Sequence, residues 1–309
     1  MAPNALITGT SGFVAGHLAR RLLADGYEVT GVDIKPPRRD LGDAVRQVTL
    51  DVRDRAGVRA LLQETRPQLV IHAAAQASVS ISMREPRLDV ETNVIATLEL
   101  AQEAAEAGTR RFVFISSGGA MHGDPEVLLA NEETAVEPLS IYGASKAAAE
   151  LYLNVVSAQT GLEVSVLRPA NIYGPEQNPH GEAGVMAIFS QRMLRNEPVT
   201  IFGDGSQTRD YVYVGDVVEA TVRAADGPAD VCDISTGIEV STGQIFEVLA
   251  GLTGYEQAAI HAEERPGDIA RISLDPAKAG RVWGWQPQVA FEDGVARTVE
   301  WFRGQEAAG

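Results

Sequence analysis

The sequence predicts an α/β protein: a doubly wound parallel sheet followed by a smaller mixed α/β lobe toward the C-terminus. Three observations predict it. Short apolar runs alternate with stretches of helical periodicity through the first half, as strand–helix–strand crossovers require. The first run, Ala5-Leu6-Ile7-Thr8, ends in a glycine turn that opens directly into a helix, the Rossmann entry pattern. After Arg168, prolines and glycines become frequent (Pro169, Gly174, Pro175, Pro179, Gly181, Gly184), which marks the start of a loop-rich second lobe.

In chain order, Gly9 and Gly12 allow a tight turn and close approach of a pyrophosphate to the positive end of the following helix, whose periodicity runs over His17–Leu23 and which Gly26 ends. Glu28–Asp33 reads as a second strand ending in an acid, 24 residues after Gly9. Asp33 can accept from both hydroxyls of an adenosine ribose and repel a 2′-phosphate, which favours NAD over NADP; Arg38 and Arg39 soften that preference. Val48–Val52 is a third strand with Asp51 at its end. Leu69–Ala75 is a fourth, opening into small residues that permit close approach of a cofactor, with His72 as a structural histidine. Leu88–Ala107 reads as one amphipathic helix stopped by Gly108. The strand Arg111–Ile115 runs into Ser116-Ser117-Gly118-Gly119, which sets hydroxyls at the C-terminal end of a central strand, where such folds bind ligands.

Tyr142 and Lys146 stand one helical turn apart on the next helix, which continues through Thr160 with Leu151, Val155 and Ala158 on one side. A lysine ammonium about 4 Å from a phenol, at an effective dielectric near 20, supplies about 4 kcal/mol. That is enough to take the phenol pKa from about 10 toward 7. With three lysines and seven tyrosines in 309 residues, the spacing is an uncommon coincidence. Glu163–Leu167 is the next strand. In the second lobe Met186–Leu194 reads as helix and Val199–Phe202 as strand. A glycine loop then presents Arg209, whose planar fork suits a diphosphate; Arg265, with Asp268 beside it, reads the same way. Trp283, Trp285 and Trp301 are expected to pack the C-terminal helix.

A net charge of −16 offers no basic patch for nucleic acid or an anionic membrane. The single Cys232 excludes an internal disulfide and a cysteine metal cluster, and no metal site is expected. The start lacks a charged region followed by a long apolar one, and no apolar run approaches the ~18 residues of a membrane span. A cytoplasmic location is expected.

Taken together, these motifs resemble the extended short-chain dehydrogenase/reductases, in particular the NAD-dependent nucleotide-sugar epimerase/dehydratase family of the UDP-glucose 4-epimerase type. The carrying segments are Thr8-Gly9-x-x-Gly12-Phe13-Val14, His72–Val79, Ser116-Ser117 with Tyr142-x-x-x-Lys146, Arg168–Pro175, Gly203–Val214 and Arg265–Asp268, and they span nearly the whole chain. The resemblance implies Ser117, Tyr142 and Lys146 as the catalytic set. It implies NAD contacts from Gly9, Gly12, Phe13, Val14, Asp33, Asp51, Val52, Ala73, Ala74, Ala75, Asn93, Ser116, Tyr142, Lys146 and Pro169. It implies UDP-sugar contacts from Ser117, Tyr142, Asn171, Val185, Thr200, Phe202, Arg209, Arg265 and Asp268, with Ile272 bordering the sugar. Ser117 is chosen over Ser116 because relatives with the same double glycine have their hydroxyl there. The implied division is 1–168 with about 212–236 for NAD, about 169–211 with 237–303 for the nucleotide sugar, and a flexible tail at 304–309. A homodimer through the Leu88–Ala107 helix and the Ala147–Thr160 stretch is implied as well, the alternative being that these helices pack against the chain's own sheet.

Two departures stand out: Ala15 replaces the third glycine, and His122 replaces the usual tyrosine before Gly123. Related 4,6-dehydratases carry an Asp-Glu pair after the hydroxyl residue, because eliminating water needs a base and an acid. Here those places are glycines and alanine, and Asp124 lies beyond the turn, so elimination is disfavoured. Decarboxylation is disfavoured for the same lack. The expected activity is epimerisation of UDP-glucose and UDP-galactose at C4. The alternatives are a 4-epimerase of UDP-glucuronate or UDP-GlcNAc, an NAD(P)H-dependent 4-keto-sugar reductase, and a non-catalytic NAD-binding sensor.

Overall fold

The computed structural model describes residues 2–36, 41–42, 44–125, 128–180, 184–264 and 269–308. The first apolar run forms β1 (Asn4–Thr8), and the glycine turn leads into α1 (Phe13–Ala24), which buries Ala15, Leu18, Ala19 and Leu22 on one face. β2 (Glu28–Asp33), β3 (Val45–Thr49) and α2 (Arg55–Thr65) follow, with the Asp54 carboxylate capping α2 by accepting from Gly57 N–H. β4 (Leu69–His72) leads to the short helices α3 (Val79–Arg84) and α4 (Pro86–Val90), a π-helical turn (Glu91–Ile95) and α5 (Ala96–Glu106). β5 (Arg111–Ile115) ends in the single turn α6 (Gly118–Met121). α7 (Ile141–Thr160), capped by Ser140 at one end and by left-handed Gly161 at the other, precedes β6 (Glu163–Pro169).

Beyond β6 the chain builds a second lobe from β7 (Asn171–Tyr173), α8 (Val185–Leu194), β8 (Thr200–Phe202) and β9 (Thr208–Tyr213). It returns to the large sheet through α9 (Val214–Asp226) and β10 (Val231–Ile234). It then continues through β11 (Glu239–Ser241), α10 (Thr242–Thr253), β12 (Ile260–Ala262), β13 (Arg271–Ile272), α11 (Ala277–Trp283) and α12 (Phe291–Ala308).

The large sheet is parallel, with seven strands in the order β10-β6-β5-β4-β1-β2-β3. Its connection direction reverses between β1 and β4, so the ligand crevice lies at the C-terminal ends of those strands. One face is packed by Leu18, Leu167, Val217 and Trp285, and the other by Leu62, Leu100, Phe112 and Leu153. The small lobe has its own core, including Phe189, Ile201, Tyr211, Leu249 and Val299.

Several elements differ from the sequence expectation. The third strand is Val45–Thr49, because its ladder with β2 runs from Val29↔Val45 to Asp33↔Thr49. Leu50 and Val52 extend the apolar pattern by packing into the core past the ladder's end. The fourth strand stops at His72, where its pairing with β1 ends. The expected Leu88–Ala107 helix is interrupted by the π-turn, which coincides with the inward turning of the polar pair Asp89 and Asn93. The expected tail at 304–309 is helical through Ala308: Gln305, Glu306 and Ala307 are good helix formers, and Glu306 pairs with Arg195 at 2.8 Å. Trp283 and Trp285 brace α9 by donating to Pro228 O and Asp216 O, both at 2.9 Å; they do not pack the last helix. Cys232 is a fully buried core residue.

Candidate active site

The glycine turn is a cradle that only backbone can fill. Gly9 has φ +81°, and a Cβ there would lie 2.9 Å from Ala74 N; a Cβ on Gly12 would lie 2.8 Å from Gly9 O. The first turn of α1 contains no acidic side chain, and the N-terminus of a helix carries the partial positive charge that favours an anion. Asp33 accepts from Ser11 N–H and Lys35 N–H, both at 3.0 Å, which ties the end of β2 to the turn. Asp51 lies just past β3, paired with Arg53 at 2.6 Å, and the guanidinium holds its carboxyl below the usual range. Asp51 lines a cavity of about 420 Å³ with Ile95, Ala96 and Glu99, next to buried Val52.

Ala73, Ala74 and Ala75 are half-buried beyond β4, held by a relay of hydrogen bonds. Ala74 N–H donates to Thr8 Oγ1 (3.1 Å), Thr8 Oγ1 bonds His72 Nδ1 (2.7 Å), His72 Nε2 bonds Thr97 Oγ1 (2.9 Å), and Thr97 donates to Asn93 O (2.8 Å). The direction of this relay sets His72 as the neutral Nε2–H tautomer, and burial pushes its pKa down to about 3. Asn93, expected to touch the cofactor, has its side chain taken up elsewhere. Its Oδ1 accepts from Gln76 N–H (2.9 Å), and its Nδ2 donates to Gln76 O (2.8 Å) and Asp89 Oδ2 (3.0 Å). It shapes the alanine segment from behind.

The hydroxyl segment and the tyrosine helix meet at glycine contacts. A Cβ on Gly143 would overlap the Ala120 carbonyl oxygen, so α7 can approach the 117–121 turn only with glycine there. Tyr142 N–H donates to Ser82 Oγ at 3.1 Å, which fixes the start of the helix. Ser117 is half-buried, and its hydroxyl lies near enough to the Tyr142 phenol to favour the ionised form. Ser116 is buried, and its Oγ donates to Glu150 Oε1 at 2.5 Å, which commits that hydroxyl to the carboxylate.

Lys146 is 3% exposed, its Nζ donating to Ile115 O at 2.9 Å and lying 5.9 Å from the Tyr142 ring centroid. Burial pushes its pKa down to about 8. The expected depression of the tyrosine pKa is not what the resting site holds. Burial pushes the phenol up to about 12, against the opposing influence of the Ser117 hydroxyl, and buried Asp89 adds to the rise. The ammonium is turned to a carbonyl and is too far away to outweigh desolvation.

In the second lobe, Asn171 opens β7 beside this turn: its Oδ1 lies 3.5 Å from where a Gly119 Cβ would stand. β7 pairs with β9, which sets Asn171 opposite Tyr211, two residues beyond Arg209. Arg209 is half-buried with Nη1 donating to Thr208 O (2.8 Å). Asp210 is not its partner, since that carboxylate accepts from Thr236 and Gly237 at 2.7–3.0 Å. Thr200 and Phe202 lie on β8, joined to β9 through left-handed Gly203 and Gly205, and Val185 begins α8. Pro169 is buried at the end of β6. Ile272, expected at the sugar pocket, is 2% exposed and packs in the core. Arg265 and Asp268 lie outside the described residues, as do Arg38 and Arg39. Asp124 is exposed and lies near Arg271 N–H (3.4 Å).

A family model described as NAD dependent epimerase/dehydratase matches residues 5–233. The chain belongs to that family. It is 44% identical over 308 residues to a UDP-glucose 4-epimerase of Mycolicibacterium smegmatis, covering 96% of this chain and 98% of that one. The structure of a UDP-glucose 4-epimerase with UDP-glucose from Thermotoga maritima is similar at a TM-score of 0.96 and 40% identity, covering 98% of this chain and 99% of that one. A Thermus thermophilus UDP-glucose 4-epimerase in complex with NAD gives 0.92 and 41%, covering 97% and 99%. As a member of the epimerase/dehydratase family, the chain also carries a supporting set that sequence reading missed: Gln76, Asp89, Glu150 and Asp233. Asp89 and Glu150 had a signal, as acids on the inward faces of otherwise apolar helices; Asp233 had none.

Proposed function

We propose that this chain interconverts UDP-glucose and UDP-galactose by inverting C4, with NAD as its resident cofactor. The observation that carries the proposal is the Ser117 hydroxyl meeting the Tyr142 phenol at the C-terminal end of β5, with Lys146 one turn on. The glycine cradle of Gly9 and Gly12 fits a dinucleotide, because a side chain at either place would fill it. Phe13, Val14, Asp33, Asp51, Val52, Ala73, Ala74, Ala75 and Pro169 complete that side, and Ser116 and Asn93 support it from behind. The chemistry NAD supplies when bound is reversible acceptance of a hydride from C4 of the sugar.

Tyr142 takes the O4 proton and returns it. Its raised proton affinity makes the phenolate, once formed, a stronger base toward a sugar hydroxyl. Ser117 hydrogen-bonds O4 and relays its proton. Lys146 keeps a positive charge beneath the pair. Arg209, Asn171, Val185, Thr200 and Phe202 hold the UDP-sugar, with Arg265 and Asp268 on the same side. The lobe boundaries we propose are 1–168 with about 212–236, and about 169–211 with 237–303.

We also infer a homodimer. Ile95 (45% exposed), Leu151 (69%), Tyr152 (47%) and Val155 (51%) leave an apolar face on the neighbouring π-turn and α7.

Incubation with UDP-glucose, UDP-galactose, UDP-glucuronate and UDP-GlcNAc, without added cofactor and with products resolved by NMR, tests the proposal. Interconversion of the first two is expected. Turnover only with added NADPH, or no turnover at all, would overturn it. Tyr142→Phe should lower kcat by about 10²–10⁴-fold while NAD stays bound.

A further inference from the structure

Beneath the hydroxyl segment lies a buried charged cluster that the proposed chemistry does not use. Glu150, one turn beyond Lys146 on α7, accepts from Ser116 Oγ at 2.5 Å and from the Arg168 guanidinium at 2.6–3.1 Å. Arg168 on β6 stands in register with Asp233 on β10. Asp233 is fully buried, and neither of its carboxylate oxygens has a hydrogen-bond partner among the described residues; nor do Arg168 Nη1 and His122 Nε2. Glu132 enters from the loop before α7, its Oε1 accepting from Asp233 N–H at 2.8 Å. Lys278 on α11 faces the cluster but is paired with Asp230 at 2.7 Å.

This cluster grips Ser117 from both sides. Ser116 is held by Glu150 and by its own N–H on Leu167 O (2.8 Å). Gly118 lies directly over Asp233: a Cβ there would stand 3.1 Å from Asp233 Oδ1 and 3.0 Å from Arg168 O. The charges do not balance. The carboxylates of Glu132, Glu150 and Asp233 meet the single guanidinium of Arg168, and buried charge without a counter-charge is resolved by taking up a proton.

We propose that Glu150, Arg168 and Asp233 are positioning residues for the Ser117 hydroxyl, and that the cluster holds the segment in place only while it carries one extra proton. The inference rests on the role of Ser117 given above. Burial and the neighbouring Glu132 push the Asp233 carboxyl up to about 8, so the proton resides there. Ionisation places an unpaired anion under Gly118 and loosens the turn that carries Ser117. Lys146, pushed down to about 8, gives up its proton over the same range. Two protons are therefore lost on the alkaline limb of kcat.

The test is kcat against pH from 6 to 10 for the NAD-loaded protein, for Asp233→Asn and for Glu132→Gln, with thermal unfolding of each over the same range. Above the limb the parent should fall about 10-fold more per pH unit than Asp233→Asn, which cannot ionise at that position, with KM within about twofold. Glu132→Gln removes a neighbouring negative charge, so its limb should move to lower pH. In unfolding, a raised carboxyl pKa gives stability that is present below its ordinary value and lost as pH rises toward about 8. The Tm advantage of Asp233→Asn over the parent should therefore grow with pH and level off above about 8. Superimposable kcat profiles for parent and Asp233→Asn, or a Tm advantage that does not change with pH, would overturn the inference. If Asp233→Asn does not fold, the direction of the Glu132→Gln shift decides. A parent that turns over no UDP-sugar refutes the function proposal instead, and the Tm comparison still tests the extra proton.

Discussion

Gly118→Ala sets helix propensity against packing, and the structure says which wins. Alanine is favoured over glycine in a helix by about 1 kcal/mol, so on propensity alone α6 should gain. The added Cβ, however, would stand 2.5 Å from Leu274 Cδ1, 3.0 Å from Arg168 O and 3.1 Å from Asp233 Oδ1. Carbon atoms in contact sit at about 3.5–4.0 Å, so the turn must move by about 1 Å. Leu274 is fully buried and cannot swing away, and Arg168 O belongs to a central strand. Overpacking of this kind costs about 1–3 kcal/mol, which offsets the propensity gain and leaves a net loss of up to about 2 kcal/mol. In a chain of 309 residues that is a fall of up to about 3 °C in Tm. The larger effect falls on rate: a displacement of about 1 Å at a reacting group costs up to about 10²-fold. We expect kcat for UDP-galactose to fall about 10–10²-fold with NAD content unchanged, measured by initial rates on protein of known cofactor occupancy. A kcat within about threefold of the parent would refute the argument that packing beneath Gly118 sets the position of Ser117.

The remaining predictions concern acid stability and assembly. His72 is buried neutral with its pKa near 3, below its ordinary 6.5, so the native state binds fewer protons than the unfolded chain between those values. Its contribution is complete above pH 6.5 and lost as pH falls toward 3; about 2–3 kcal/mol should be gone by pH 4.5 in urea unfolding. His72→Gln should flatten that slope, and parallel slopes would count against it. Leu151→Glu places a charge on the exposed face of α7, where it touches nothing of its own chain's core. If the proposed dimer forms through this face, light scattering should give a monomer mass with Tm lowered; an unchanged dimer mass would reject this face as the interface.

Much of the fold was legible because the signals were local. The strand–glycine–helix entry, the buried run at β5 and the Tyr142–Lys146 spacing each sit within one window, and each turned up where the sequence placed it. What escaped was set by partners far along the chain. The third strand's register depends on β2, so an apolar alternation that continued into Leu50 and Val52 misled the reading. The π-turn coincides with Asp89 and Asn93 meeting Gln76, a contact that sequence periodicity does not show. The tyrosine pKa was misjudged for a related reason: spacing reveals the charge one turn away, whereas desolvation depends on everything packed around the phenol.

Elimination chemistry is disfavoured in the sequence by the glycines and alanine that follow Ser117, with Asp124 beyond the turn. The fold in fact brings an acid to Gly118: Asp233 arrives from β10, 115 residues later, with its carboxylate close under the backbone. Proximity alone would reopen the question, because a carboxyl poised near pH 8 is the kind of group that acid–base chemistry uses. Its position closes it again. Asp233 is fully buried with its carboxylate under Gly118, whereas Ser117 is half-buried and Asn171 is exposed. A sugar held by Asn171 and Ser117 cannot meet that carboxylate without the turn opening. The carboxyl can influence the reaction only through the turn above it, which is the role the pH profile of Asp233→Asn measures.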